Sequence, residues 1–149
     1  MKENQNLFRD LQEDFRKMKK NLLVAQSGGP TAAINATLAG VIKQAIKEEQ
    51  IDQVYGACYG IQGVLEQKFV NLTEKVDTEE KLEKLKRTPA AALGSCRFKL
   101  NDIKEDDSQY QEIVDILHKM NIGYFVYIGG NDSMDTVAKL SAYCKEKGV

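Results

Sequence analysis

Two short apolar runs, each broken by a pair of glycines, constrain this chain more than anything else in it. Leu22-Leu23-Val24-Ala25 gives way to Ser27-Gly28-Gly29-Pro30, and Tyr124 to Ile128 stops at Gly129-Gly130-Asn131-Asp132-Ser133. Neither run alternates apolar with polar residues, as a strand with one wet face would. Strands of this kind are covered on both faces, which calls for a parallel sheet held between two layers of helices. Behind each glycine pair the apolar residues change to helical spacing: Ile34, Leu38, Val41, Ile42, Ala45 and Ile46 after the first, Met134, Val137, Ala138 and Ser141 after the second. Another short strand is predicted at Val54 to Cys58, leading into Tyr59-Gly60-Ile61-Gln62-Gly63. Tyr110, Ile113, Val114, Leu117 and Met120 predict an amphipathic helix, and DTEEKLEKLKR from Asp77 reads as a solvated surface helix with opposite charges four apart. The expected class is α/β, a parallel sheet with helices on both faces in a Rossmann-like three-layer sandwich.

The chain has the size of one domain, and 42% hydrophobic residues in 149 are enough for a core. Its net charge of -1 points to neither nucleic acid nor an acidic membrane, so an anion must be bound locally. No run approaches the roughly 20 apolar residues that cross a bilayer. The charged N-terminus lacks the apolar core of a secretory signal. Three cysteines, Cys58, Cys96 and Cys144, are far apart in sequence and fit reduced packing thiols in a cytoplasm. Residues 1–20 carry Leu7, Phe8, Leu11, Phe15 and Met18 on one helical stripe. They are expected to form an amphipathic helix docked on the domain or on a partner subunit, preceding a domain over 21–149.

At the carboxyl ends of parallel strands, loops at helix N-termini are where ligands bind. Ser27-Gly28-Gly29-Pro30-Thr31 offers backbone N–H groups, hydroxyls and a close approach, which suits phosphate; a plain tight turn has the same sequence. Asn131-Asp132-Ser133 offers oxygens to a hard cation such as magnesium, or a cap to the helix that follows. Arg97, in Gly94-Ser95-Cys96-Arg97-Phe98, brings a guanidinium fork to a small-residue loop, for an anion or for a surface ion pair. His118, the one histidine, has no nucleophile or carboxylate near it in sequence and is read as structural.

Taken in order, SGGPTAAIN at Ser27 to Asn35, LGSCRF at Leu93 to Phe98 and IGGNDS at Ile128 to Ser133 resemble the N-terminal part of the phosphofructokinase family. That resemblance implies a phosphoryl-donor site in which Gly28 and Gly29 approach the donor, Arg97 and Phe98 contribute to its binding, and Gly130, Asn131, Asp132 and Ser133 form the loop under its phosphates. It implies Arg97 meeting the transferred group as a catalytic residue with Asp132, Mg2+ as cofactor, fructose 6-phosphate as acceptor and a homo-oligomer as the assembly.

The donor follows from departures within that resemblance. ATP-using members carry G-G-D-G-S where this chain has Gly129-Gly130-Asn131-Asp132-Ser133. A carboxylate there repels the α-phosphate of ATP by about 4 kcal/mol at 4 Å if the effective dielectric is near 20, whereas pyrophosphate has no such group. Diphosphate-using relatives have Asp at this position, so Asp132 implies pyrophosphate as donor. Ile61, where ATP enzymes have an aromatic residue over the adenine, and Thr136, where they have glycine, lean the same way. Asn131 stands where the family has its magnesium-associated Asp, so Asn131 and Asp132 are the expected metal residues. ATP remains the alternative donor, and a non-catalytic phosphate- or nucleotide-binding module is the other reading. The latter arises because the family's T-I-D-N-D segment, with its general base, is not in the sequence, so the chain is expected to be a truncated donor-side piece without catalysis of its own.

Overall fold

In the computed structural model, residues 2–149 are described, with backbone alone described at positions 2–5, 8 and 15–17. Helix α1 (Lys2–Met18) leads into β1 (Lys20–Gln26), and α2 (Ile34–Ala45) and β2 (Ile51–Ala57) follow. Next come α3 (Gly60–Leu65), the short β3 (Phe69–Asn71), α4 (Leu72–Lys75) and α5 (Glu79–Arg87). After a long irregular segment, α6 (Ser108–Lys119), β4 (Ile122–Ile128) and α7 (Asn131–Lys147) complete the fold.

The sheet has the order β3-β2-β1-β4. β1 pairs in parallel with β2 and with β4, as expected, but β3 pairs antiparallel with β2 from Tyr55 opposite Asn71 to Ala57 opposite Phe69. The sheet is therefore mixed: three residues at its edge are too few to have announced themselves by pattern. β1 explains why its apolar run is continuous. Leu23 and Ala25 point to the face covered by α3, α6 and α7, while Leu22 and Val24 point to the face covered by α2 and α5. All four are buried. β1 thus has a core on each face, and the layering follows from which side of it each residue faces, whereas β4, expected to be covered on both faces, is only partly covered: Tyr127 alone is buried and Tyr124 is 40% exposed.

The sequence assigns no element to Tyr59-Gly60-Ile61-Gln62-Gly63, yet Gly60 opens α3 after a left-handed Tyr59 (φ 65°). α5 is not merely solvated, because Leu82 is buried in the core beside α2 and Thr78 caps its first turn by accepting from the Lys81 N–H at 3.3 Å. Within this chain the described apolar residues of the N-terminal stripe, Leu7, Leu11 and Met18, are 60%, 58% and 71% exposed and do not pack on the domain, which leaves a partner subunit as the alternative for them; Phe8 and Phe15 lie outside the described side chains. Only Lys19 separates α1 from β1, too short a connection to turn the helix back over a sheet face. Among the described residues no helix is long and apolar enough to cross a membrane.

A buried polar network fastens β1 to what surrounds its carboxyl end. Gln26 donates from Nε2 to Asn35 Oδ1 (3.0 Å) and to the Ile34 carbonyl (3.2 Å), and accepts the Leu93 N–H at 2.9 Å. Asn35 in turn donates to the Thr88 carbonyl (2.9 Å) and accepts the Ala92 N–H (2.9 Å). Both side chains are fully buried. The strand end, the first turn of α2 and the segment before Gly94 are held by these five bonds, which places the next residues of that segment.

Candidate functional site

Adjacent parallel strands deliver both glycine turns to one place. β1 lies beside β4 as far as Gln26 opposite Ile128, and the Ser27 N–H donates to the Ile128 carbonyl at 2.8 Å. The turns then touch: a Cβ added at Gly28, whose φ is +80°, would stand 3.1 Å from the Gly130 nitrogen. Only glycine serves both that left-handed backbone and that approach.

Across the turns lies the segment after Gly94. Ser95 Oγ donates to the Gly28 carbonyl at 2.6 Å, and Ser27 Oγ donates to the Cys96 carbonyl at 3.1 Å. These bonds hold the third sequence segment against the first. The result is a cleft of about 590 Å³. Ser27, Gly28, Gly29 and Pro30 form one wall; Ser95, Cys96, Arg97, Phe98 and Lys99 form another; and Tyr127, Asp132, Ser133 and Thr136 close it. Six of the eight predicted binding residues thus meet: Gly28, Gly29, Arg97, Phe98, Asp132 and Ser133. Gly130 and Asn131 do not line the cleft, since Gly130 is the N-cap of α7 and Asn131 is its first, exposed residue.

The cap reading of Asn131-Asp132-Ser133 is excluded by where the helix starts. No side chain caps α7, and the three residues are already inside its first turn. Ser133 is 3% exposed, and its Oγ is the one buried side-chain oxygen or nitrogen among the described residues without a hydrogen-bond partner. It sits over Gly129, where an added Cβ would overlap Ser133 Oγ and lie 2.7 Å from Ser133 Cβ. A buried hydroxyl left unpaired is unfavourable unless something arrives to bond it. Beside it, Thr136 is also buried and donates from Oγ1 to the Asp132 carbonyl at 3.0 Å. α7 packs through Ser133, Thr136, Leu140 and Tyr143; of the expected Met134, Val137, Ala138 and Ser141, Val137 packs partly buried against the core and the other three are exposed. The first glycine turn also differs from expectation: α2 begins only at Ile34, after Ala33 as N-cap, so Gly28 and Gly29 do not sit at a helix N-terminus.

Charge in the cleft comes from Arg97, Lys99 and Asp132. Arg97 is exposed, and Lys99 Nζ lies 3.8 Å from Asp132 Oδ1, joining two walls. Sequence reading missed Lys99, because no local pattern pairs it with a residue on α7. It also missed Tyr127, whose hydroxyl accepts the Ile61 N–H at 3.1 Å and lies 4.0 Å from Cys96 Sγ. Burial pushes the Tyr127 phenol up, which keeps it protonated; hydrogen bonds with Ser27 and the Ile61 N–H offset part of that. Ile61 itself is fully buried in the core. Ile61 does not line the cleft. His118 is exposed in the last turn of α6, rather than a core residue, and does not line the cleft.

The sequence profile of the family described as Phosphofructokinase matches residues 21–148. The chain belongs to the phosphofructokinase family. It is 44% identical over 123 residues to the pyrophosphate--fructose 6-phosphate 1-phosphotransferase of Rhodospirillum rubrum, covering 83% of this chain and 29% of that protein. It is 40% identical over 129 residues to the protein of the same name from Halomonas elongata, covering 86% of this chain and 30% of the relative. Among solved structures, the pyrophosphate-dependent phosphofructokinase from Nitrosospira multiformis superposes with a TM-score of 0.79 at 37% identity, over 87% of this chain and 31% of that one. This phosphofructokinase-family chain therefore spans about 30% of the length of the relatives it matches.

Proposed function

We propose that the chain forms the phosphoryl-donor side of a diphosphate-dependent 6-phosphofructokinase, which transfers a phosphoryl group from pyrophosphate to the 1-hydroxyl of fructose 6-phosphate in glycolysis. The observation that carries this reading is the convergence of the three segments on one cleft whose buried Ser133 hydroxyl has no partner of its own. In it, Gly28 and Gly29 admit the anion, Ser133 donates to a phosphate oxygen, and Arg97 meets the transferred group, where its fixed charge stabilises the transition state. Phe98 forms part of the donor wall, with Gly130 and Asn131 supporting the loop from behind. The unpaired thiols fit a cytoplasmic protein, and a homo-oligomer is the assembly that we propose for it.

Magnesium fits this site only in company. Among the described residues no group of three or more His, Cys, Asp or Glu side chains is placed to hold a metal ion. Asp132 supplies one exposed carboxylate to the cleft, while the exposed Asn131 does not line it; a single carboxylate suits Mg2+ that arrives already bound to pyrophosphate. Such an ion would neutralise charge on the phosphate oxygens.

Asp132 discriminates less strongly than a buried carboxylate would. Its side chain is 83% exposed, so its repulsion of the ATP α-phosphate approaches the value in water, about 1 kcal/mol at 4 Å. Calorimetry with magnesium pyrophosphate and magnesium ATP tests the donor: pyrophosphate should bind the more tightly, and Asp132→Gly should improve ATP binding by roughly fivefold. Equal or tighter binding of ATP by the unchanged chain would remove the donor reading.

Ser133→Ala separates ligand binding from folding. Removing the orphan hydroxyl should leave the ligand-free stability unchanged or raise it by about 1 kcal/mol, while weakening pyrophosphate binding by about fivefold to tenfold. Thermal unfolding without ligand and calorimetry with it give the two numbers; a loss of stability with unchanged affinity would mean that Ser133 serves only packing.

A further inference from the structure

We propose that Lys99 is the counter-charge that allows a carboxylate to stand in this anion cleft: standing against Asp132, it offsets part of the repulsion that Asp132 exerts on a phosphate bound there. The inference rests on the pyrophosphate reading above and assigns a positioning residue to the same site. Its ground is the charge arrangement. Arg97, Lys99 and Asp132 are the charged residues of the lining, so the cleft carries one net positive charge with Lys99 and none without it. Lys99 Nζ stands 3.8 Å from Asp132 Oδ1, and no other ion pair of either residue occurs among the described residues.

The pair is a poor candidate for a stabilising element. Its side chains are 79% and 83% exposed, and ion pairs in such surroundings contribute little to folding. What it does instead is fix the direction of a field. With the ammonium 3.8 Å away, part of the carboxylate's charge is offset, and an incoming anion meets a positive group as well as a negative one. Lys99 and Asp132 come from different walls, the segment after Arg97 and the first turn of α7, so the pair spans the cleft.

The test is a double-mutant cycle read by calorimetry with magnesium pyrophosphate on the unchanged chain, Lys99→Met, Asp132→Asn and the two combined. Lys99→Met should weaken binding about tenfold while Asp132 is present, and less than about threefold once Asp132→Asn has removed the charge that Lys99 offsets. Lys99→Arg should retain most of the affinity, because it keeps the charge. Equal losses in both backgrounds would overturn the proposal and make Lys99 a direct phosphate ligand; no loss in either would overturn it outright. If the unchanged chain fails to bind pyrophosphate, the donor reading fails and takes this inference with it, whereas binding by the unchanged chain without any coupling defeats the inference alone.

Discussion

Gly63→Ala should cost the fold about 4 kcal/mol or more, among the largest effects of any single methyl group in this chain. Gly63 lies in the middle of α3, where helix propensity alone would favour alanine. Packing decides otherwise. A Cβ there would overlap the carbonyl oxygen of Cys58 and lie 2.6 Å from the Cys58 carbonyl carbon. Both are main-chain atoms that no rotamer change can move. Cys58 is itself pinned, its N–H donating to the Lys68 carbonyl at 2.9 Å, while the Lys68 N–H donates to the Gly63 carbonyl at 2.8 Å. The helix would have to lift from the end of β2, pulling Ile61 and Val64 out of the core. Chemical denaturation should show the loss as a lower midpoint, and thermal unfolding as a fall of roughly 10 °C. A change below about 1 kcal/mol would show that α3 is not seated as described.

Asn35→Ala should cost about 3 kcal/mol and loosen the cleft as well. The side chain makes three of the five bonds in the buried network, to Gln26, Thr88 and Ala92. Truncation leaves the Thr88 carbonyl and the Ala92 N–H without their partner and takes one acceptor from Gln26. Because Leu93 is fastened to the same network through Gln26, the segment carrying Ser95, Arg97 and Lys99 loses part of its anchorage. Pyrophosphate affinity should therefore fall along with stability, although Asn35 does not line the cleft. If stability dropped with unchanged affinity, the bonds from Ser95 to Gly28 and from Ser27 to Cys96 would suffice to hold that segment.

Much of the architecture was legible because β1 and β4 announce themselves by continuous apolar residues, and because helical spacing resumes behind each glycine pair. Two of the three site segments were legible for the same reason, since they follow β1 and β4 where ligand loops lie, whereas Leu93 to Phe98 follows no strand and was legible through the family resemblance. What escaped depended on contacts distant in sequence. α3 hid because two glycines within six residues weaken a helical pattern, and their need for close packing against Cys58 and Cys96 is invisible until β2 and the Gly94–Phe98 segment are in place. β3 was too short to show a period. On α7 the apolar spacing points to Val137, which packs on the core, but not to Ser133 and Thr136, whose burial beside the cleft runs against their polarity. Lys99 could have been noticed as a cation two residues from Arg97, but its partner is set by how the loops cross.

The pairing of β1 with β4 has a kinetic consequence. Lys20 and Asn121 are joined by a side-chain hydrogen bond across a separation of 101 residues, and both glycine turns depend on that same pairing. Contacts so far apart in the chain are slow to close, because the loop must be ordered before it is rewarded. The cleft is thus completed only when the second outer strand docks on the first strand made, and a ligand bridging Gly28 and Ser133 would bind the finished sheet and nothing earlier. Pyrophosphate at 100 times its dissociation constant would then add about 2.7 kcal/mol to the native state by mass action.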